Sequence, residues 1–324
     1  MKIALFLGSG ASVPFGKPVT KTFRNNLITK FKSNDTYPYR FLNTMLNYSN
    51  YEDIEHVLQG IREIRQFYDT SKYGVPYLNS LSCEMRMPDG IKFPLAYLID
   101  NLQAIQGIVE SEVFNYYSWN HDFDENLRIF DQYTSLIEEG STTLDIFTTN
   151  YDRAIEEYCS RNEIQCNDGF EPNSFKRRTL WTGNFDLPVH KEKFAINLFK
   201  LHGSLNWKRH KIYGIESTSA EGRSVDHNYI ENLLIYPYLS PKDGMMLEPY
   251  VTIRNQFIKR TSSSDVLIVI GFSCRDRHIN DVLKDLIDQG KILIFISPTV
   301  NKDLEDNLFE NEMFDTTTME LSDG

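Results

Sequence analysis

The turn that ends the first apolar run places the strongest constraint on the fold. Residues 3–7 form a short apolar run that stops at the sequence Gly8-Ser9-Gly10-Ala11-Ser12. Because glycine has no Cβ, a glycine-rich turn after a strand lets backbone N–H groups approach a phosphate closely. In a doubly wound α/β sheet, the turn after the first strand is where such a phosphate binds. The turn alone is a weak signal, so its meaning depends on motifs further along the chain.

Other short apolar runs bounded by turn residues predict more strands. They cover residues 2–7, 144–148, 195–201, 266–270 and 292–296, with residues 233–236 as a weaker sixth. Near-continuous apolar strands are typical of parallel sheets covered by helices on both faces. Helices are expected over residues 151–162 and 276–289, each directly after a strand. The predicted fold class is therefore α/β, Rossmann-like and doubly wound, with a mainly parallel sheet.

A helical block interrupts this pattern. Between residues 35 and 140 the apolar residues follow helical spacing, as in Leu95, Leu98, Ile99 and Leu102. We therefore divide the chain into a Rossmann domain (1–34 and 141–300), a helical insertion (35–140) and an acidic C-terminal tail (301–324). The polar stretch 213–232 is predicted to be a surface loop.

Charge is distributed unevenly along the chain. The net charge is −11, and the tail 301–324 holds eight acidic residues against one lysine. Residues 171–211 hold nine lysines and arginines against three acidic residues. This balance does not favour direct nucleic-acid binding by the chain as a whole. The basic segment is consistent with a local anion site or with a solvated surface, and both interpretations stay open.

The apolar runs and the spacing of the cysteines indicate where the protein is found and whether it binds a metal. No run approaches the roughly 18 apolar residues that a membrane-spanning helix needs, and Met1-Lys2 leads directly into a strand. We therefore predict a cytoplasmic protein that does not bind membranes. Cys83, Cys159, Cys166 and Cys274 form no closely spaced pair, which argues against a zinc site. We interpret them as small apolar residues, and no metal is expected.

Four polar motifs each follow a predicted strand. They are Gly8–Ser12, Thr148-Thr149-Asn150-Tyr151-Asp152, Leu201-His202-Gly203-Ser204 and Gly271-Phe272-Ser273-Cys274-Arg275-Asp276. Ligands of open α/β sheets bind outside the carboxyl ends of the strands. The four motifs are therefore expected to converge on one crevice.

The ordered set GSGAS, TTNYD, LHGS and GFSxxD resembles the sirtuin-like NAD-binding superfamily, and is most similar to sirtuin-like domains of bacterial antiphage defence proteins. The resemblance covers residues 1–34 and 141–300. It implies NAD⁺ as the substrate, with Asn150 holding the ribose and a water near the N-glycosidic bond, and with His202 as the general base. It also implies NAD⁺-binding positions at Gly8, Ser9, Gly10, Ala11, Ser12, Thr149, Asp152, Gly271, Ser273, Ser297 and Thr299.

The residue types suit this chemistry, but each has a structural alternative. An amide side chain offers donors and an acceptor, and a histidine can accept a proton near neutral pH. Asn150 is equally consistent with a turn or cap residue, and His202 with a hydrogen-bonded histidine at a strand end. We favour a helix-capping role for Asp276 and a core position for Trp207.

Two departures from the family argue against protein deacylation. The chain lacks the paired zinc cysteines of deacylating sirtuins, and it has Phe15-Gly16-Lys17-Pro18 where they carry an Asp-Phe-Arg segment. Water then becomes the expected acceptor, which predicts an NAD⁺ glycohydrolase releasing nicotinamide and ADP-ribose. We expect an antiphage effector activated by homo-oligomer formation or by a defence partner such as an ATPase, nuclease or Argonaute-like protein. The alternative is a non-catalytic sensor of NAD⁺ or an ADP-ribose derivative.

Overall fold

A computed structural model of the chain describes residues 1–47, 60, 84–86, 90, 92–135, 143–188, 194–219, 228–234 and 247–297. The strands are β1 Ile3–Leu7, β2 Glu84–Arg86, β3 Lys92–Pro94, β4 Thr143–Thr148, β5 Gln165–Asn167, β6 Phe170–Asn173, β7 Arg178–Trp181, β8 Ala195–Lys200, β9 Gly203–His210, β10 Gly214–Ser217, β11 Tyr229–Leu234, β12 Val266–Ile270 and β13 Ile292–Ile296. The α-helices are α1 Thr20–Phe31, α2 Tyr37–Asn47, α3 Leu95–Tyr117, α4 Ile129–Thr134, α5 Ala154–Arg161, α6 Tyr250–Ser262 and α7 Arg277–Asp288. Two 3₁₀-helices cover Ser9–Phe15 and His121–Arg128.

The main sheet is parallel and confirms the predicted fold class. Its strand order is β13-β12-β1-β4-β8-β5, and every neighbouring pair is parallel. The first strand lies at the centre and the chain winds outward in both directions, as in a doubly wound fold. The four strands that end in polar motifs, β12, β1, β4 and β8, are adjacent. Their carboxyl ends therefore meet along one edge of the sheet.

Apolar runs account for most of this sheet, but a polar row crosses its outer half. Asp145, Asn197 and Asn167 occupy the same register position on β4, β8 and β5. Asn167 donates from Nδ2 to Asn197 Oδ1 at 2.9 Å, and Asn197 donates from Nδ2 to Asp145 Oδ1 at 2.8 Å. All three side chains are buried. A shift of one residue between these strands would break the row and leave buried polar groups unpaired, so the row favours a single register.

A second, antiparallel sheet was not predicted. Its order is β11-β9-β10-β7-β6. The prediction of a surface loop over 213–232 is wrong for residues 214–217 and 229–232, which form β10 and the start of β11. The weaker sixth strand at 233–236 is confirmed for residues 233 and 234, which end β11 beside β9 in the antiparallel sheet, while residues 235 and 236 lie outside the described part of the chain. Ile215 and Leu233 are buried against the core, which explains why short, polar strands are retained here.

The predicted helical insertion does contain helices, together with the short hairpin β2–β3. Helices α2 and α3 pack with α1 around one apolar cluster, which also includes Leu205 of β9. Helix α1 thus packs with the insertion although it precedes residue 35. The division of the chain into domains stays a prediction.

Some predictions fall outside the described residues, including Thr299, the acidic tail 301–324 and Cys83. Within the described part, Cys159, Cys166 and Cys274 form no disulfide, and Cys159 and Cys274 are buried. None of the helices described is both long enough and apolar enough to cross a bilayer.

Candidate functional site

The glycine turn after β1 packs directly against the turn after β12. Gly8 donates its N–H to Ile270 O at 2.9 Å, and Gly10 donates to Gly271 O at 2.8 Å. A Cβ on Gly8 would lie 2.6 Å from Gly271 O, and one on Gly10 would lie 2.8 Å from Gly271 Cα. Such distances are not tolerated, so both glycines are needed for the close approach of the two turns. Ala11 donates its N–H to Gly8 O at 3.0 Å, which closes the turn.

Gly271 completes this contact from the other side. Its φ is +64°, a left-handed conformation that favours glycine. A Cβ at this position would lie 2.4 Å from the backbone nitrogen of Ala11. Its own N–H donates to Ile296 O at 2.9 Å, which fixes the turn to the end of β13. The predicted phosphate turn and the predicted adenosine turn therefore form one backbone unit.

Asn150 is anchored to the glycine turn through its amide nitrogen. Its Nδ2 donates to Gly8 O and to Ser12 Oγ, each at 2.8 Å. Ser12 Oγ in turn donates to Asp152 Oδ2 at 2.6 Å. Because both Nδ2 hydrogens point toward the protein, Oδ1 is the atom of the Asn150 amide that is left to accept a hydrogen bond. The sequence allowed this amide to act as donor or acceptor, and the network selects the acceptor.

Asp152 accepts hydrogen bonds on two sides of the loop that carries Asn150. Its Oδ2 accepts from Ser12, and its Oδ1 accepts from the backbone N–H of Ala154 at 3.0 Å, at the start of α5. The carboxylate is buried, at 6% exposure. It therefore connects the glycine turn, the loop after β4 and the first turn of a helix.

Lys200 binds the backbone of the loop after β4, and this role was not predicted. Its side chain is 1% exposed. Its Nζ donates to Glu156 Oε1 at 3.0 Å, to Ser204 Oγ at 2.8 Å and to the backbone carbonyls of Tyr151 and Asp152. One buried ammonium group thus fixes the loops after β4 and β8 relative to each other. A lysine at the end of the apolar run AINLFK was the sequence signal for this role.

His202 lies on the loop after β8 and forms a buried pair with Asp276. The distance from His202 Nε2 to Asp276 Oδ2 is 2.9 Å, and the two residues are 3% and 5% exposed. Asp276 also caps α7, because its Oδ1 accepts from the backbone N–H of His278 at 2.9 Å and of Ile279 at 3.3 Å. The predicted cap is confirmed, and the contact with His202 adds a second role that the sequence did not reveal.

The remaining predicted positions lie on the same edge of the sheet. Thr149 donates its N–H to Leu7 O at 3.3 Å, and Ser9 begins the 3₁₀-helix that includes the rest of the glycine turn. Ser273 belongs to the turn that starts at Gly271, and Ser297 directly follows β13. All members of the predicted set except Thr299, which lies outside the described residues, therefore lie along the carboxyl edge of the main sheet.

Aromatic side chains join the site to the helical insertion. The ring of Tyr151 lies 6.1 Å from that of Tyr117, at the end of α3, and 6.5 Å from the imidazole of His202. Tyr117 also donates its hydroxyl to Pro18 O at 2.9 Å. The residue after Asn150 is therefore in contact with the insertion on one side and faces the histidine on the other.

The basic side chains of segment 171–211 that the structure describes differ in their surroundings. Lys200 and Lys208 are buried, and Arg178 pairs with the buried carboxylate of Glu216 at 2.6 Å. The exposed Lys176 and Lys211 lie on the β6–β7 and β9–β10 hairpins, and Lys176 Nζ lies 5.7 Å from the ring of Tyr213 on the second of these. Neither a local anion site nor a solvated surface therefore accounts for all the described basic residues of this segment.

Trp207 is a core residue, as favoured from the sequence. Its side chain is 1% exposed and packs against Phe170 and Trp181, with ring centroids at 5.0 and 6.2 Å.

Two titratable groups beside the Lys200 network have shifted pKa values. Burial raises the pKa of Asp168 to about 6, and the nearby Glu156 adds to this while Lys200 opposes it. The Cys159 sulfur and burial together raise the pKa of the Cys166 thiol well above its usual range. A thiol with a raised pKa is a poor nucleophile, which agrees with an inert structural role.

Comparisons with known proteins place the chain in a family. The SIR2-like domain family matches residues 145–314, just over half of the chain. A search of the curated proteins gives no match. Solved structures similar to this chain include a Sir2 homologue–NAD complex, with 13% identity over 94% of this chain and 80% of that chain and a TM-score of 0.46.

A second similar structure is a Sir2 homologue mutant in complex with ADP-ribose, with 13% identity over 95% of this chain and 84% of that chain and a TM-score of 0.43. The family match itself begins within β4 and includes the loops that carry Asn150, His202 and Asp276. The chain belongs to the SIR2-like domain family.

Proposed function

We propose that this protein is an NAD⁺ glycohydrolase that cleaves the bond between nicotinamide and ribose. The observation that carries the proposal is the orientation of Asn150, whose amide nitrogen is bound to Gly8 and Ser12 and whose Oδ1 is left as an acceptor. An acceptor beside a glycine turn suits a water or a ribose hydroxyl. Membership of the SIR2-like family supports NAD⁺ as the dinucleotide.

The proposed reaction needs little from the protein beyond positioning. Nicotinamide in NAD⁺ is a cationic leaving group, so it takes the electron pair of the C–N bond and departs neutral. A water oxygen forms the new bond to C1′ of the ribose, and one water proton is released. Asn150 Oδ1 would orient the water or the ribose, and His202 would accept the proton from a ribose hydroxyl or the water.

The other predicted residues take supporting roles in this proposal. The turn Gly8–Ser12 would lie along the pyrophosphate, and the turn from Gly271 to Ser273 along the adenosine half. Ser297 and Thr299 would lie near the adenine or its ribose. Thr149 and Asp152 would hold the Asn150 loop, and no metal takes part.

The proposed biological role is antiphage defence by depletion of NAD⁺. An enzyme that hydrolyses NAD⁺ without control would harm its own cell, so activity is expected to depend on assembly of the chain or on a defence partner. The helical insertion is a candidate route for this control, because Tyr117 of α3 contacts Tyr151 next to Asn150. A cytoplasmic location, where NAD⁺ is available, is part of the same proposal.

The test is nicotinamide release from NAD⁺ by the purified protein over a series of protein concentrations. Wild type, Asn150→Ala and His202→Ala would be compared with Asn47→Ala and His121→Ala, which change exposed residues away from the site. We expect both site variants to lose release and both controls to retain it. A rate per molecule that rises with concentration supports control by assembly.

Binding of NAD⁺ without release at any concentration would instead support the sensor, which was the alternative function. Absence of binding would contradict the proposal altogether. Isothermal titration calorimetry with NAD⁺ and with ADP-ribose separates these two outcomes.

A further inference from the structure

We propose that Asp276 is a positioning residue for His202, and that it selects which imidazole nitrogen carries the proton. This inference rests on the proposed function of His202 as a base, but its central claim concerns the imidazole itself. An ionised carboxylate can only accept hydrogen bonds. Because Asp276 Oδ2 lies 2.9 Å from His202 Nε2, the hydrogen of the neutral imidazole is placed on Nε2. Nδ1 is then the unprotonated nitrogen.

His202 has Nδ1 available for a proton. Among the residues that the structure describes, Nε2 is the ring nitrogen that forms a hydrogen bond, and its partner is Asp276. The pair is almost fully buried, so water does not compete for the carboxylate. A neutral histidine with one nitrogen bound to a carboxylate and the other unprotonated has the arrangement that general base catalysis requires.

The second carboxylate oxygen of Asp276, Oδ1, is bound by backbone N–H groups. Asp276 Oδ1 accepts two backbone N–H groups at the start of α7, where the helix dipole favours negative charge. The buried Asn280, one helical turn later, donates from Nδ2 to Cys274 O at 2.7 Å and from its backbone N–H to Asp276 O at 2.9 Å. The turn that presents Asp276 is therefore fixed by the helix that Asp276 caps.

His202 and Asp276 come from strands on opposite sides of β4 and β1. His202 follows β8 and Asp276 follows β12, and these strands are separated in the sheet by β4 and β1. Three strand spacings correspond to about 14 Å. The two side chains therefore meet across the ends of the strands that carry Asn150 and Gly8. This places the orientation of His202 under the control of a loop on the far side of the predicted NAD⁺ crevice.

Substitution of Asp276 by asparagine separates the positioning role from the capping role. Asparagine is as good a helix N-cap as aspartate, so its Oδ1 can keep the contacts with His278 and Ile279. Its Nδ2 would then face His202 Nε2 as a donor. The imidazole must accept there and carry its hydrogen on Nδ1, so the base at Nδ1 is lost. Asp276→Ser keeps a capping oxygen but cannot reach the imidazole in the same way. Asp186→Asn, at an exposed carboxylate paired with Arg260, is the matched control.

The experiment combines ¹⁵N NMR of ¹⁵N-histidine-labelled protein with kinetics and thermal unfolding. His202→Gln assigns the His202 signals by their loss. We expect the Nε2–H tautomer in wild type and in Asp186→Asn, and the Nδ1–H tautomer in Asp276→Asn. We expect kcat for nicotinamide release to fall on the order of 10²-fold or more in Asp276→Asn, with KM within about threefold of wild type. Asp276→Ser should lose kcat without a large change in Tm.

Two results would overturn the inference. One is an Nδ1–H tautomer of His202 in the wild-type protein, which needs no variant to fold. The other is an Asp276→Asn protein that keeps both the wild-type tautomer and the wild-type kcat, which would leave Asp276 as a helix cap only. If wild type releases no nicotinamide but shows the Nε2–H tautomer that Asp276→Asn reverses, the positioning role stands and the proposed hydrolase activity fails by itself.

Discussion

Ser12 Oγ donates a hydrogen bond of 2.6 Å to Asp152 Oδ2, and it accepts one of 2.8 Å from Asn150 Nδ2. A single buried hydroxyl therefore connects the side chains of Asn150 and Asp152, on the loop after β4, to the glycine turn after β1. The sequence indicated this serine only as part of a phosphate turn. Its contacts make it the residue that orients the Asn150 amide.

Replacement of Ser12 by alanine should reduce activity and stability together. Asp152 Oδ2 and one Nδ2 hydrogen would lose their buried partner, which costs about 1–3 kcal/mol of the free energy of unfolding. The Asn150 amide would be less well oriented, so we expect kcat for nicotinamide release to fall at least tenfold. Chemical denaturation and the release assay measure the two effects. Ser263→Ala, at an exposed serine, should change the free energy of unfolding by less than about 0.5 kcal/mol. Unchanged kcat in Ser12→Ala would contradict the orienting role.

Replacement of Lys200 by methionine should be strongly destabilising. The change leaves Glu156 without its cation and two backbone carbonyls without a donor, and loss of one partner of a buried ion pair costs about 3–5 kcal/mol. The double variant Lys200→Met with Glu156→Gln should recover part of this loss, since it removes the unpaired charge. Urea unfolding of both variants and of Lys211→Met, at an exposed lysine, tests the prediction. A Lys200→Met protein as stable as Lys211→Met would show that the network contributes little.

Alanine at two left-handed glycines should give unequal effects. Gly271 and Gly290 have φ of +64° and +72°, so both substitutions incur about 1 kcal/mol of backbone strain. A Cβ at Gly290 meets nothing within 4 Å, whereas one at Gly271 lies 2.4 Å from Ala11 N. We therefore expect Gly271→Ala to lower Tm further and to weaken NAD⁺ binding at least tenfold, while Gly290→Ala keeps wild-type binding. Differential scanning fluorimetry and calorimetric titration measure both. Equal affinities for NAD⁺ would argue against a role of the turn contact in binding.

The contribution of Asp168 to the free energy of unfolding should increase as the pH falls. The pKa of Asp168 is about 6 in the folded protein, raised from 3.8 mainly by burial. Between these values the folded state binds more protons than the unfolded state, so this group adds stability as the pH falls from about 6 toward 4. Asp168→Asn keeps an acceptor for the Phe170 N–H and removes the buried charge. It should raise the free energy of unfolding by about 1–3 kcal/mol at pH 8 and by little at pH 4. An equal effect at both pH values would contradict the assigned cause.

Most of the parallel sheet could be predicted because five of its six strands contain short apolar runs, whereas the edge strand β5 is short and polar and was missed. The predicted strand at 266–270 agrees with β12 at both ends, and the strand at 195–201 extends one residue beyond β8. Burial on both faces of the inner strands requires apolar residues at nearly every position, so the signal is local, although alternate residues of the edge strand β13 are exposed. The grouping of Asn150 and His202 at one edge followed from the same reasoning, since parallel strands end on the same side.

The antiparallel sheet could not be predicted for a related reason. Its strands β6 and β7 are four residues each, and β9 contains Asn206, Lys208 and Arg209. Their polar side chains are paired across the sheet, as Arg178 is with Glu216. Pairing partners distant in sequence leave no periodic signal. The contacts of His202 with Asp276 and of Lys200 with Glu156 could not be predicted either, because the two residues of each pair are 74 and 44 positions apart in the sequence.

The central position of β1 has a consequence for synthesis of the chain. Ile3 pairs with Val266, so β1 must wait for β12, which is synthesised much later, before the sheet is complete. Pairings of such long sequence separation form late in folding. The turn at Gly8 has no Gly271 to pack against, and His202 has no Asp276, until that part of the chain has left the ribosome. A nascent chain therefore lacks the assembled crevice, and any activity that depends on it begins only after β12, Gly271 and Asp276 have been translated.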